Sequence, residues 1–147
     1  MIRFEGVESF PVAPADVFAK LSDAGWLARA LPEAEVTQTD PDRAAWKVRP
    51  KFAFMAGNLD TTAEVLGRSA DEQVRYRIVS TSVGARSTVD ARLDFGPADG
   101  GGTAVKWVSD VTELGGLLKL VPRGLIQAAA QKVIADVWAS IRQRLTD

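Results

Sequence analysis

The chain contains no cysteine and no histidine. Without cysteine there is no disulfide framework, no thiolate nucleophile and no thiolate-bound zinc; without histidine the usual near-neutral general base is missing. A surplus of one charge is lacking too, since 18 Lys plus Arg stand against 19 Asp plus Glu, a formal net charge of -1. The basic residues are scattered, so neither nucleic acid nor electrostatic membrane anchoring is expected. Long apolar runs are also absent: the longest unbroken stretch of apolar residues and glycine is Phe52 to Gly57, far below the ~20 residues that span a bilayer. The start, Met1-Ile2-Arg3-Phe4-Glu5, carries charge where a signal peptide needs an apolar core. These absences predict a cytoplasmic protein with no transmembrane segment, no bound metal and no cofactor. What remains is chemistry by carboxylate, Lys, Tyr, Ser or Thr, or binding without catalysis.

What is present suits a single domain over 1–147, with 46% hydrophobic and 7% aromatic residues. Ile2, Phe4, Gly6, Glu8 and Phe10 alternate with Arg3, Glu5, Val7 and Ser9, the period of a half-buried strand. Glu8 interrupts the apolar side. Either it faces a partly wet interior, or Gly6 marks a bulge that shifts the parity. Pro14 and Asp16 then suit a first helical turn, with Val17, Phe18 and Leu21 as its stripe over 14–21. Ser22 or Asp23 caps a second short helix, which Pro32 ends.

From residue 33 to about 114 the period is two, and six strands fit. They lie near 33–39, 46–54, 59–65, 74–78, 85–95 and 103–111, with hairpin loops at Gly67 to Asp71, around Gly84 and at Gly100-Gly101-Gly102. The glycine triplet joins two strands rather than a strand and a helix, so it is not read as a phosphate-binding loop. Pro122 precedes the longest helix, about 123–145, whose Ile126, Ala130, Val133, Ile134, Val137, Trp138, Ile141 and Leu145 recur at helical spacing.

This order predicts an α+β fold, a seven-stranded antiparallel sheet whose inner face is covered by the C-terminal helix. A strongly twisted sheet wrapped around a helix leaves space between them. Bulky Trp46, Tyr76, Phe95 and Trp107 share the expected inner face with small Thr61, Ala63, Ser80, Ser82, Ala85, Ser87 and Ala91, and the helix adds Ala128, Ala129, Ala130 and Ala135. Small side chains on both sides predict a ligand cavity, unless the helix simply packs closer to the sheet.

Three stretches carry a family resemblance: Phe4-Glu5-Gly6 with Pro14 and its helix, Leu31-Pro32, and Leu114-Gly115-Gly116 leading through Leu117-Leu118 to Pro122. On these the chain resembles the START-type helix-grip superfamily (polyketide cyclase/dehydrase and lipid transport, SRPBCC), which includes birch-pollen-allergen proteins. Within it, the chain is similar to the G-subunit family of carbon monoxide dehydrogenase. The resemblance implies a curved sheet gripping a long helix around a cavity. It also implies an accessory role for a molybdenum hydroxylase in maturation, recruitment or quinone supply. Many members carry a C-terminal tail for attachment; this chain stops at Asp147, directly after the helix, so no membrane role through such a tail is expected.

The expected ligand is a hydrophobic or amphipathic small molecule, a lipid, quinone or polyketide-like compound. Its expected contacts are Phe54, Thr61, Ala63, Tyr76, Ile78, Ser80, Ala85, Ser87, Ala91, Leu117, Leu120, Ala130, Val133 and Val137, the apolar groups supplying shape and the hydroxyls orienting a carbonyl. Burial of apolar surface, roughly 25 cal/mol per Å², holds such a molecule with few polar contacts. A catalyst needs more, and the only weak candidates are Glu8 and the single tyrosine, Tyr76. A cyclase or dehydrase thus remains a further alternative. Asp60 with Glu64, and Asp90 with Asp94, fall on the solvated strand face. Arg43, Lys47, Arg49 and Lys51 form the densest basic row, a solvated face or a docking surface for an oxidoreductase complex.

Overall fold

The computed structural model describes residues 2–49 and 57–146, so Phe54, Lys51 and most of the Phe52 to Gly57 run lie outside the described residues. In chain order the elements are β1 (Ile2–Phe10), α1 (Pro14–Leu21), α2 (Ala24–Ala30), β2 (Glu35–Thr39), β3 (Arg43–Val48), β4 (Leu59–Ser69), β5 (Gln73–Ser82), β6 (Ala85–Pro97), β7 (Thr103–Gly116) and α3 (Arg123–Thr146). A 3-10 turn, Leu117–Leu120, joins β7 to α3. The strands form one antiparallel sheet in the order β1-β7-β6-β5-β4-β3-β2. This is the α+β helix-grip architecture that the sequence predicts.

Local chemistry explains the connections. Pro14 opens α1, with Asp16 in its first turn and Lys20 in its last, where each charge complements the helix dipole. Asp23, rather than Ser22, caps α2: its carboxylate accepts from the Trp26 amide at 3.0 Å. The carbonyls at the end of α1 are satisfied from the sheet. Tyr76 donates its hydroxyl to the Leu21 carbonyl at 2.7 Å, and Arg68 donates to the Ser22 carbonyl at 2.9 and 3.1 Å.

Two turn or loop readings differ in the structure. Gly67 lies inside β4 at a bulge after Val65, and the turn falls at 70–72. Leu114-Gly115-Gly116 continues β7 past another irregularity, opposite Thr88/Val89, instead of starting a loop. There Gly116, at φ 62°, lies against the Gly84 carbonyl, and the Leu117 amide donates to that carbonyl at 2.7 Å. The β1–β7 register, by contrast, runs unbroken from Ile2 opposite Val111 to Phe10 opposite Thr103. Gly6 is therefore no bulge, and Glu8 lies on the concave side.

Two apolar clusters hold α3 by its ends. Trp138, Ile141 and Leu145 pack with Phe10, Val17, Phe18, Leu21, Val74, Tyr76, Leu93, Phe95 and Val105. At the other end Ile126 meets Ile2, Phe4, Val111 and Leu118. The backbone of α3 approaches β1 and α2 more closely than the middle strands β4, β5 and β6. Between the two ends, Ala130, Ile134 and Val137 of α3 pack against these clusters but stay only half-buried.

Candidate functional site

The concave face between the clusters is read from the register. Thr61 stands opposite Ser80, Ser80 opposite Ser87, and Ser87 opposite Leu114, so three hydroxyls form one row across β4, β5 and β6. Adjacent strands are ~4.8 Å apart, and the Thr61 and Ser80 hydroxyls are within 3.0 Å of each other. The next row carries Ala63, Ile78 and Val89, the one after it Tyr76 and Ala91. Along β5 and β6 burial fades in one direction. Val74, Tyr76, Leu93 and Phe95 are buried, whereas Ile78, Ser80, Ala85, Ser87 and Ala91 are half-buried, no better covered than their convex-face neighbours Val79 and Thr88. Thr61 and Ala63 are buried. From α3, Ala130 and Val137 are half-buried, while Val133 is 47% exposed. Leu117 and Leu120 are exposed at the rim, at 59% and 80%, beside the β5–β6 turn with its Val83.

Tyr76 and Glu8 are not brought together. They stand on β5 and β1, separated by β6 and β7, which is about 14 Å of sheet at ~4.8 Å per strand step. Burial pushes the Tyr76 hydroxyl well above the ordinary tyrosine range, and its proton is already donated to Leu21. It is an anchor between sheet and helix. The Glu8 carboxylate is 29% exposed and lies 3.6 Å from the Arg142 guanidinium. The charged strand pairs face solvent as their spacing predicts: Asp90 is bound to Arg77 and Asp94 to Arg92. Within the basic row, Arg43 stands opposite Glu64 and Lys47 opposite Asp60.

A second concavity escaped the sequence reading. It measures about 740 Å³ and lies between β1 and α3, lined among others by Phe4, Glu8, Trp107, Ile134, Trp138 and Arg142. Trp107 faces Gly6 across the β1–β7 ladder, and its indole lies over that glycine; a Cβ there would be 2.9 Å from the ring. The Trp107 and Trp138 rings are 6.1 Å apart. Periodicity places Trp107 on the inner face, but only the register sets it against a residue with no side chain.

No group of three or more Asp and Glu among the described residues is placed to hold a metal ion. No described helix is long and apolar enough to cross a membrane.

A curved seven-stranded sheet clasping a long C-terminal helix, with small and hydroxylated residues beneath it, defines a START-like helix-grip domain. The model of the CoxG family, the G subunit of carbon monoxide dehydrogenase, matches residues 6–146, and the chain belongs to that family. Solved structures share the fold. A conserved protein of Geobacillus kaustophilus superposes with a TM-score of 0.84 at 15% identity, over 99% of this chain and 95% of that one. A START superfamily protein of Mycobacterium smegmatis gives 0.71 at 12%, over 98% and 97%. A Thermus thermophilus protein gives 0.65 at 21%, over 99% and 97%. No curated protein matches the sequence. Family and fold together support a ligand-binding domain.

Proposed function

We propose that the domain binds a hydrophobic or amphipathic small molecule between the concave face and α3. The observation that carries this reading is the hydroxyl row Thr61, Ser80 and Ser87, set across three adjacent strands of the concave face, where Ser80 and Ser87 are only half-buried beneath α3. Ala63, Tyr76, Ile78, Ala85, Ala91, Ala130, Val133 and Val137 supply the apolar walls, and Leu117 and Leu120 the rim. Phe54, outside the described residues, belongs to the same assignment on sequence grounds. The hydroxyls orient a carbonyl of a lipid, quinone or polyketide-like molecule. Nile red titration tests this. The wild-type protein binds the dye with blue-shifted emission, and Ser87→Trp weakens binding at least tenfold with little change in melting temperature. Equal binding by that variant, or no affinity for the dye or for a panel of lipids and quinones, refutes the reading.

The family assignment favours a second role, in which the domain serves carbon monoxide dehydrogenase or a related molybdenum hydroxylase in maturation, recruitment or quinone supply. Exposed Val83, Leu117 and Leu120 offer a better docking surface than Arg43 and Lys47, each of which stands opposite an acidic residue. Co-purification with the oxidoreductase, lost on Leu120→Asp, supports this role. Nothing in the placement of Glu8 and Tyr76 favours a cyclase or dehydrase.

A further inference from the structure

The connection between β6 and β7 carries a reactive pair that neither the fold nor the ligand site uses. Of the aspartates in the chain only Asp99 is followed by glycine, and the one asparagine, Asn58, is followed by leucine. The peptide nitrogen after an aspartate closes a five-membered ring when it reaches the side-chain carboxyl carbon, and a side chain on the next residue crowds that approach. Glycine removes the obstacle.

The structure leaves this pair free to react. Asp99 and Gly100 are exposed, in a short 3-10 turn over Asp99–Gly101 at the tip of the hairpin. Nothing lies within 4 Å of the place a Cβ would take on Gly100, whose φ is 82°. Several other aspartates are held: Asp23 caps α2, Asp42 meets Arg68, Asp90 meets Arg77, Asp94 meets Arg92, and Asp110 meets Arg3. The Asp99 carboxylate has no hydrogen bond or ion pair among the described residues. Only the base of the loop is fixed. The Ala98 amide donates to the Gly102 carbonyl at 3.0 Å, the Thr103 hydroxyl donates to the Val12 carbonyl at 2.6 Å, and Gly102 lies against the Phe10 carbonyl. A loop held at its base and open at its apex samples the ring-closing geometry without unfolding the sheet.

We propose that Asp99 is a modification site, at which the intact fold spontaneously converts its own backbone to isoaspartate. The Gly100 amide nitrogen attacks Cγ of Asp99. An N–Cγ bond forms, and one carboxyl oxygen leaves as water with the amide and carboxyl protons. Water then adds to either carbonyl of the resulting succinimide. Breaking the new N–Cγ bond restores aspartate, whereas breaking the bond from nitrogen to the α-carbonyl carbon routes the chain through Cβ and Cγ and frees the α-carboxylate. One water leaves and one enters, so mass is unchanged and no oxidant or other reactant is needed. The product adds one methylene to the turn and presents the substrate of isoaspartyl-directed, S-adenosylmethionine-dependent methyltransferases. Since Pro97 pairs with Thr103 and Ala85 with Gly116, the turn stands at the opposite end of the β6–β7 pair from Leu117. The site is therefore independent of the ligand reading.

Full-length protein aged at physiological temperature and pH tests the assignment. Protein isoaspartyl methyltransferase with radiolabelled S-adenosylmethionine counts the isoaspartate formed, and electron-transfer fragmentation of the tryptic peptide Leu93–Lys106 separates Asp99 from Asp94. Methyl incorporation rises with age and maps to Asp99. Asp99→Glu abolishes it, because the longer side chain no longer closes a five-membered ring. Asp99→Asn raises it, with ammonia lost in place of water and a mass gain confined to that peptide. The folded protein forms isoaspartate at Asp99 within about tenfold of the rate in urea, since opening a loop tip costs close to nothing. No incorporation in aged wild type, incorporation chiefly at another aspartate, equal incorporation in Asp99→Glu, or a folded rate more than about tenfold below the unfolded one each overturns the proposal.

Discussion

Replacing Tyr76 with phenylalanine separates anchoring from chemistry at the one tyrosine of the chain. The ring is 3% exposed, and its hydroxyl donates to the Leu21 carbonyl at 2.7 Å, where α1 has no further turn to use that acceptor. Phenylalanine keeps the packing but removes the bond and leaves a carbonyl unsatisfied at a helix end, a loss of about 1–2 kcal/mol. For a domain of this size that corresponds to a melting temperature lower by about 3–8 °C. The pH dependence carries the sharper signature. Burial raises the Tyr76 pKa in the folded state above the unfolded value, which is about 10. Above pH ~10 the unfolded chain has therefore lost a proton that the folded chain keeps, and stability falls as pH rises from there through the folded pKa. Tyr76→Phe lacks this contribution, so the difference in stability between the two proteins narrows in alkali. Denaturant unfolding at neutral and alkaline pH measures the difference, and tyrosinate absorbance reports Tyr76 alone. A variant as stable as wild type at neutral pH, or a tyrosine that ionises near pH 10 in the intact fold, refutes the anchor.

Three further outcomes follow from particular contacts. Arg68 also donates to the Pro41 carbonyl and to Asp42, at 2.7 and 2.6 Å, so Arg68→Ala costs about 1.5–3 kcal/mol in denaturant unfolding, and Arg68→Lys recovers only part of it because the planar fork is lost. Gly116→Ala drives a Cβ into the Gly84 carbonyl at a backbone conformation that suits only glycine; calorimetry should show a lower melting temperature, whereas the exposed Gly124→Ala, with open space at its Cβ, is neutral or stabilising. Hydrogen bonding from Arg3 holds the Asp110 carboxylate below its ordinary range. Its stabilisation is therefore present above the unfolded pKa and is lost as pH falls through the folded value, from about pH 4 downward, so acid titrations of Asp110→Asn show a shallower loss of stability than wild type.

Much of this architecture is legible in one dimension because its causes are local. Alternation assigns the strands, Pro14 and Asp16 place α1, and spacings of three and four mark the face of α3 that carries Ile126, Trp138, Ile141 and Leu145. The candidate ligand residues were legible in the same way, as small side chains on one side of each strand. Where the reading failed, the cause was cross-strand. Gly67 reads as a turn residue, yet pairing with Arg75 keeps it in β4 past a bulge; Leu114 to Gly116 reads as a loop, yet pairing with Ala85, Arg86 and Ser87 extends β7.

By itself, then, the sequence determined which residues share a face, that no thiol or imidazole chemistry is available, and that one long helix must cover one sheet. Tertiary structure alone decided which of those residues meet. Register aligned Thr61, Ser80 and Ser87 in one row and laid Trp107 over Gly6; the packing of α3 brought Arg142 to Glu8 and left the middle of the sheet half-covered. The physical reason is that periodicity fixes the direction of a side chain relative to its own strand or helix. Its neighbours depend on pairing between segments as far apart as Gly6 and Trp107, which no local pattern encodes.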